Sequence, residues 1–143
     1  MKILVTGATG FLGKYVIDEL LAHDYTIVAF GRNEKNGKAL ENDRVQFIKG
    51  DLSSIEELRQ AFQSVDAVVH AGALSSAWGP WKAFYQANVV GTKNVLELCR
   101  EYAVKRLVYV SSPSIYAAGK DQLNIKESDA PKENHLNNYI RSK

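Results

Sequence analysis

The sequence predicts an α/β domain: a doubly wound parallel sheet of five strands with helices on both faces. Two features of pattern and one of size support this. Short, wholly apolar runs alternate with longer amphipathic stretches, which is how strands buried on both sides and their crossover helices read. Three of those runs lead into a glycine, at Gly7, Gly31 and Gly50. The 143 residues, 45% hydrophobic and 24% charged, can bury ~68–70% of the unfolded surface, enough for one real core. Right-handed crossovers then favour strand order 3-2-1-4-5.

Ile3-Leu4-Val5 is the first strand. Phe11 to His23 follows as a helix, with Leu12, Val16 and Leu20 at i, i+4 and i+8 as its inward stripe. Tyr25 to Phe30 is the second strand and Val45 to Ile48 the third. Ser53 and Ser54, three residues before Glu56 and Glu57, read as a capping box opening a helix through Phe62. Val65 to His70 is the fourth strand. The longest helix lies between Trp81 and Tyr102, with Phe84, Asn88, Gly91, Val95 and Leu98 on one stripe. Arg106 to Val110 is the fifth strand and leads into Ser111-Ser112-Pro113. Ala117 to Asn138 is polar without a clear period, and reads as a long loop or as part of a lid over a site.

Composition narrows the function classes. Eighteen Lys and Arg against sixteen Asp and Glu give a formal charge of +2. They are spread along the chain, which argues against a nucleic-acid or membrane-surface partner. One cysteine, Cys99, allows no internal disulfide and no Cys-based metal site, so a reducing cytoplasm is the expected setting. The apolar runs are too short to cross a bilayer, and the opening Met1-Lys2-Ile3-Leu4-Val5 is too brief for a signal peptide. His23, His70 and His135 have no metal-ligand spacing with Asp, Glu or Cys, so no metal is expected. His70 reads as a satisfied core histidine. Trp78 and Trp81, flanking Gly79-Pro80, either floor an apolar substrate pocket or simply pack.

Chemistry enters at Thr6-Gly7-Ala8-Thr9-Gly10-Phe11-Leu12-Gly13, between the first strand and the first helix. Gly7 allows a tight strand-to-helix turn, Gly10 lets the backbone approach a pyrophosphate, and Gly13 lets the helix pack on the sheet. The N–H groups and dipole that open the helix suit phosphate charge. A site for NAD usually has Asp or Glu at the end of the second strand, bonding the adenosine ribose. Here Gly31-Arg32-Asn33 stands instead. Gly31 leaves space and Arg32 can pair with a 2′-phosphate, so NADP is the expected cofactor, with NAD the alternative. The other reading of Arg32 is a solvated residue in a basic loop beside Lys35 and Lys38.

Six motifs in order and spacing now carry a resemblance. They are TGATGFLG at 6–13, GDL at 50–52, VVHAGA at 68–73, NVVGTKNVLEL at 88–98, VSSPSIY at 110–116 and Tyr139-Ile140-Arg141-Ser142-Lys143. Along its whole length the chain resembles the N-terminal part of the extended short-chain dehydrogenase/reductases, the NAD-dependent epimerase/dehydratase group. SSAWGPWKAFYQANVVGT looks most like the branch related to 3β-hydroxysteroid dehydrogenases. The resemblance implies a Rossmann fold and an adenine pocket lined by Asp51 and Leu52. It also implies a cofactor-facing backbone at Ala71, Gly72 and Ala73. Asn88 is either a cofactor contact or a buried amide tying its helix to a neighbouring strand.

Interconverting an alcohol and a ketone on nicotinamide needs a group that gives or takes the oxygen's proton. Tyrosine, with an ordinary pKa of about 10, is a poor base. A lysine four residues on lies on the same helical face and favours the phenolate. Tyr139 and Lys143 fit, with Tyr139 as acid/base. Tyr116–Lys120 has the same spacing but follows directly on a strand end. The resemblance implies that Lys143 also bonds the nicotinamide ribose and that Ser112 holds the substrate oxygen, with Ser111 and Ser114 as alternatives.

The resemblance further implies more strands and a C-terminal substrate domain beyond Lys143. Residues 1–143 are thus expected to be an incomplete NAD(P)-binding domain, inactive alone, from a longer protein acting on a small molecule, with a homodimer as a further expectation. Two rivals stay open: a sugar-nucleotide epimerase and a dinucleotide-binding module without catalysis. A dehydratase fits less well, because the Asp-Glu pair of those relatives is replaced by Pro113-Ser114.

Overall fold

The computed structural model describes residues 1–117, 122–130 and 136–143. Its centre is one parallel sheet in the order β3-β2-β1-β4-β5, as the sequence predicts. The strands are β1 (Lys2–Thr6), β2 (Thr26–Gly31), β3 (Val45–Lys49), β4 (Ala67–His70) and β5 (Arg106–Tyr109). Thr6 lies opposite Phe30 on one side and His70 on the other, and His70 lies opposite Tyr109. The carboxyl ends of β1, β2, β4 and β5 therefore stand level. Strand order reverses between β1 and β4, the place where open α/β sheets form a crevice.

Alternation along each strand sends side chains to two cores. Leu4, Val28, Phe30 and Val68 meet Leu58, Phe62, Val95 and Leu98 on one face. Ile3, Val5, Ile27, Ala29 and Val45 meet Ile17 on the other. Each fully buried Leu, Ile or Phe is worth roughly 1.5–3 kcal/mol. The first face is covered by α3 (Ile55–Arg59), its 3₁₀ extension Gln60–Phe62, and α5 (Gly91–Glu101); the second is covered by α1 (Phe11–Ala22). A short α2 (Glu34–Lys38), started by Asn33 accepting from Asn36 N–H at 3.0 Å, was not expected from the sequence.

The structure departs from the sequence pattern at several elements. In α1 the buried residues are Gly13 and Ile17, while Leu12 is 42% exposed. The inward stripe is rotated by one residue because Gly13 is needed against the turn. Val65 is buried but precedes β4, since Ser64 takes a left-handed φ of 60° that breaks the strand there. Ser54 caps α3 by accepting from Glu57 N–H, but the Glu57 carboxylate turns away from the cap and accepts from Asp51 N–H at 2.8 Å. Half of the capping box is thus spent on the site. The long helix of residues 81–101 holds the expected stripe, all buried, but is three pieces: α4 (Trp81–Phe84), a π-turn (Tyr85–Val90) and α5. Val108 on β5 is 51% exposed, so the fifth run is a one-sided strand despite its apolar pattern. Beyond β5 come 3₁₀ turns at Pro113–Tyr116 and Glu127–Asp129, then α6 (Asn138–Arg141).

Candidate functional site

The crevice at the strand ends is a cleft of about 600 Å³. Its floor is the glycine turn. Gly7 has φ 69°, and a Cβ there would sit 2.6 Å from Gly72 Cα and 2.9 Å from Ala71 C. A Cβ on Gly13 would sit 2.6 Å from Ala8 Cα and collide with Gly7 O. Two backbone segments and a helix are thus packed with no side chain between them. Gly10 differs: a Cβ there would meet Gly7 O at 3.2 Å and nothing else within 4 Å. Gly10 caps α1 without a side-chain hydrogen bond, and no acidic residue occupies the first turn. By contrast Asn33, Ser54 and Asn137 spend side chains capping α2, α3 and α6. The start of α1, which lines the cleft at Gly10 to Gly13, therefore carries no side-chain cap and no acid, and its dipole end suits negative charge.

At one end lie Phe30, Gly31, Arg32, Asn33, Gly50, Asp51 and Leu52. A Cβ on Gly31 would meet Thr9 Oγ1 at 2.6 Å, and one on Gly50 would meet the Phe30 ring at 2.6 Å. Asp51 Oδ1 accepts from Ser53 N–H at 2.9 Å and Ser53 Oγ–H at 2.7 Å. Its Oδ2 faces Arg32 Nη1 at 3.7 Å. Partial burial raises the Asp51 pKa, but the two Ser53 hydrogen bonds and the Arg32 charge outweigh it and hold the carboxyl below its ordinary value. Lys38 and Lys49 are both held by Glu34, and Lys38 is absent from the cleft wall. Arg32 is therefore distinguished from its basic neighbours by position.

At the other end Tyr139 and Lys143 line the same cleft as Gly7 and Gly10. Asn137 starts α6 by accepting from Ile140 N–H at 2.8 Å. Lys143 Nζ donates to Val110 O at 2.9 Å and lies 4.6 Å from the centre of the Tyr109 ring. Asn88, 3% exposed, is the hub behind this end. Its Oδ1 accepts from Leu74 N–H at 2.7 Å, and its Nδ2 donates to Leu74 O at 3.1 Å and to Ser142 Oγ at 2.7 Å. Ser142 Oγ in turn donates to Tyr139 O at 2.7 Å. One amide in the π-turn therefore ties the loop after β4 to the backbone of Tyr139. Asn88 itself is not among the cleft's lining residues, and its geometry is that of the structural tie.

His70 is buried, with Nδ1 2.6 Å from Thr6 Oγ1 and Nε2 3.0 Å from Thr92 Oγ1. Gly72 N–H donates to the same Thr6 hydroxyl at 3.3 Å. Burial, and secondarily the charge of Lys143, push the imidazole pKa down to about 4, so it is neutral near pH 7.

Of the residues singled out from the sequence, Gly7, Gly10, Phe11, Leu12, Gly13, Arg32, Asp51, Leu52, Ala71, Gly72, Ala73, Tyr139 and Lys143 share this one cleft. Ser112 does not line it. Its Oγ lies 2.6 Å from Ser114 Oγ and accepts from Ser114 N–H at 3.3 Å, capping the 3₁₀ turn, while Ser111 faces the cleft. The sequence reading missed Thr9, Leu74, Ser75, Ala87 and Val110 as lining residues. Each lies in or next to a quoted motif, but which residue of a motif faces inward depends on loop paths that no periodicity records. Trp81 packs against Tyr85 and under Arg141, 4.1 Å from its guanidinium, whereas Trp78 is 87% exposed. Lys120 of the competing Tyr116–Lys120 pair, and His135, lie outside the described residues. Among the described residues there is no group of three or more His, Cys, Asp or Glu placed to hold a metal ion, and no helix long and apolar enough to cross a membrane.

Known proteins resemble the chain in sequence and fold. The chain is 43% identical over 115 residues to a 2-alkyl-3-oxoalkanoate reductase of Stenotrophomonas maltophilia, covering 80% of this chain and 34% of that protein. It is 36% identical over 123 residues to the decarboxylating sterol-4-alpha-carboxylate 3-dehydrogenase of Bos taurus, covering 86% of this chain and 33% of that one. Among solved structures, a UDP-glucose 4-epimerase of Thermus thermophilus in complex with NAD is 28% identical with a TM-score of 0.86, over 100% of this chain and 47% of the epimerase. The chain thus spans about a third of these two curated relatives. With residues 3–143 matching the family throughout, the chain belongs to the NAD dependent epimerase/dehydratase family.

Proposed function

We propose that residues 1–143 are the dinucleotide-binding part of a longer oxidoreductase that interconverts a ketone and an alcohol, with NADP favoured over NAD. The observation that carries this reading is the convergence of Tyr139 and Lys143 on the cleft floored by Gly7 and Gly10. A bound nicotinamide would supply or accept hydride at the carbonyl carbon. Tyr139 gives its phenolic proton to the substrate oxygen during reduction and takes it back in the reverse direction. Lys143, on the wall of the same cleft, is its electrostatic partner. The amides opening α1 hold the diphosphate, and Arg32 leaves Asp51 to pair with a 2′-phosphate. Ser111 or Ser112 holds the substrate oxygen; Ser111 is the one facing the cleft.

Two relatives support a substrate class. The names of the reductase and the sterol dehydrogenase both describe a carbonyl or hydroxyl carbon β to a carboxylate. We assign the chain to that class, a 3-oxo or 3-hydroxy acid. The second reading, sugar-nucleotide epimerisation, is favoured by the likeness to the NAD-bound epimerase. The test uses the full-length protein with NADPH and freshly prepared 2-methyl-3-oxobutanoate as a 3-oxo acid probe. Net NADPH oxidation is expected. Inversion of a UDP-sugar with cofactor unchanged would overturn the assignment in favour of the epimerase.

A further inference from the structure

The ammonium of Lys143 is not free in the cleft. Its Nζ donates to Val110 O at 2.9 Å and sits 4.6 Å above the centre of the Tyr109 ring. The other partner of that ring is His70, with centroids 5.5 Å apart and planes 30° apart. The stack is fixed by sheet register, since His70 and Tyr109 are directly paired on β4 and β5. His70 is fixed in turn by hydroxyls on both ring nitrogens, from Thr6 on β1 and Thr92 on α5. Four elements, β1, β4, β5 and α5, therefore fix one aromatic face under one cation.

We propose that Tyr109, backed by His70, is a positioning residue that seats the Lys143 ammonium at the reacting end of the cleft. The inference rests on the reading of Lys143 as the partner of Tyr139 and of a bound nucleotide. An aromatic face attracts a cation through its quadrupole, and more strongly where water is partly excluded. A long lysine side chain otherwise spreads over many rotamers, and ordering it costs entropy that a ready seat avoids. The neutral imidazole completes the seat, because a charged one beneath the ring would repel the ammonium. The phenolic oxygen of Tyr109 is not needed; the ring is.

The test is a double-mutant cycle in the full-length protein, read as the NADPH dissociation constant from nicotinamide fluorescence. Lys143→Met weakens binding. Tyr109→Leu is expected to weaken it about 3- to 10-fold, while Tyr109→Phe stays within about twofold because the ring face remains. In the Lys143→Met background, Tyr109→Leu is expected to cost nothing further, since the interaction it removes is already gone. A loss of equal size in both backgrounds, or no loss in the first, would overturn the proposal. Should the leucine variant fail to fold, proton NMR of the wild-type protein decides. The Lys143 ε-methylene resonances are expected upfield of the ordinary lysine position, and an unshifted pair would overturn the seat. If wild-type protein does not bind NADPH, or Lys143→Met leaves binding unchanged, the underlying reading falls and the seat with it. Weakened binding in Lys143→Met with Tyr109→Leu unaffected overturns the seat alone.

Discussion

The two ends of the cleft are built by different means. The floor under the glycine turn is backbone against backbone: Gly7 on Gly72, Gly13 on Ala8, with no room for a Cβ at either. The reacting end is held by side chains, bonded to one another and to backbone carbonyls. Asn88 holds Ser142, Ser142 holds Tyr139, and Val110 with Tyr109 holds Lys143. The tightly packed backbone at Gly7 and Gly13 cannot be altered without disturbing the fold. An end made of hydrogen-bonded side chains can lose function while the fold survives. Both ends join distant parts of the chain, Gly7 meeting Gly72 at the floor and Asn88 meeting Ser142 at the reacting end.

That contrast can be broken or sharpened by substitution. Tyr139→Phe should have the largest effect, lowering turnover of the full-length protein about 10²–10⁴-fold, with NADPH affinity and thermal midpoint unchanged. A matching loss of affinity would mean that the two ends are not separable. Gly13→Ala should instead lower stability by roughly 3 kcal/mol, since overpacking of this kind typically costs 1–3 kcal/mol and the obstacle here is backbone. Urea unfolding would measure it, and a neutral result would contradict the backbone-on-backbone account. Asn88→Ala should cost about 2 kcal/mol, because the amide and carbonyl of Leu74 and the hydroxyl of Ser142 lose a buried partner. Its turnover should fall further than stability alone explains, with the Michaelis constant for NADPH little changed. Arg32→Ala should be the mildest, weakening NADPH by about tenfold, or 1.4 kcal/mol, while leaving NADH nearly unaffected. Equal losses for both nucleotides would remove the 2′-phosphate assignment.

The same contrast governs what could be read from sequence. Strand order, the glycine turn and the buried stripe from Phe84 to Leu98 follow from local patterns, because short apolar runs and glycine spacing act over a few residues. The α1 stripe was displaced by one residue because Gly13 must face the turn, and an apolar count assigns glycine no face. Ser112 and Ser111 could not be separated, since the rotation of a chain leaving a strand depends on the 3₁₀ turn that Ser112 itself caps. The Asn88–Ser142–Tyr139 chain and the Tyr109 seat were illegible for a plainer reason. They join residues from separate elements, and spacing along one element carries no record of them. The π-turn that aims Asn88 likewise leaves no mark in a helical periodicity of polar and apolar residues.

On the proposed reading a dinucleotide rests on the α1 amides beside Gly10. Gly10 has φ −90°, a value open to any residue, and its Cβ would meet only Gly7 O within 4 Å. Valine there should therefore keep the fold while filling the place where a diphosphate must lie. Calorimetric titration of the full-length protein with NADPH should give a saturable heat in the wild type and none in a folded Gly10→Val variant. No saturable heat in the wild type with NADPH or NADH, or equal affinity in the variant, would contradict the account.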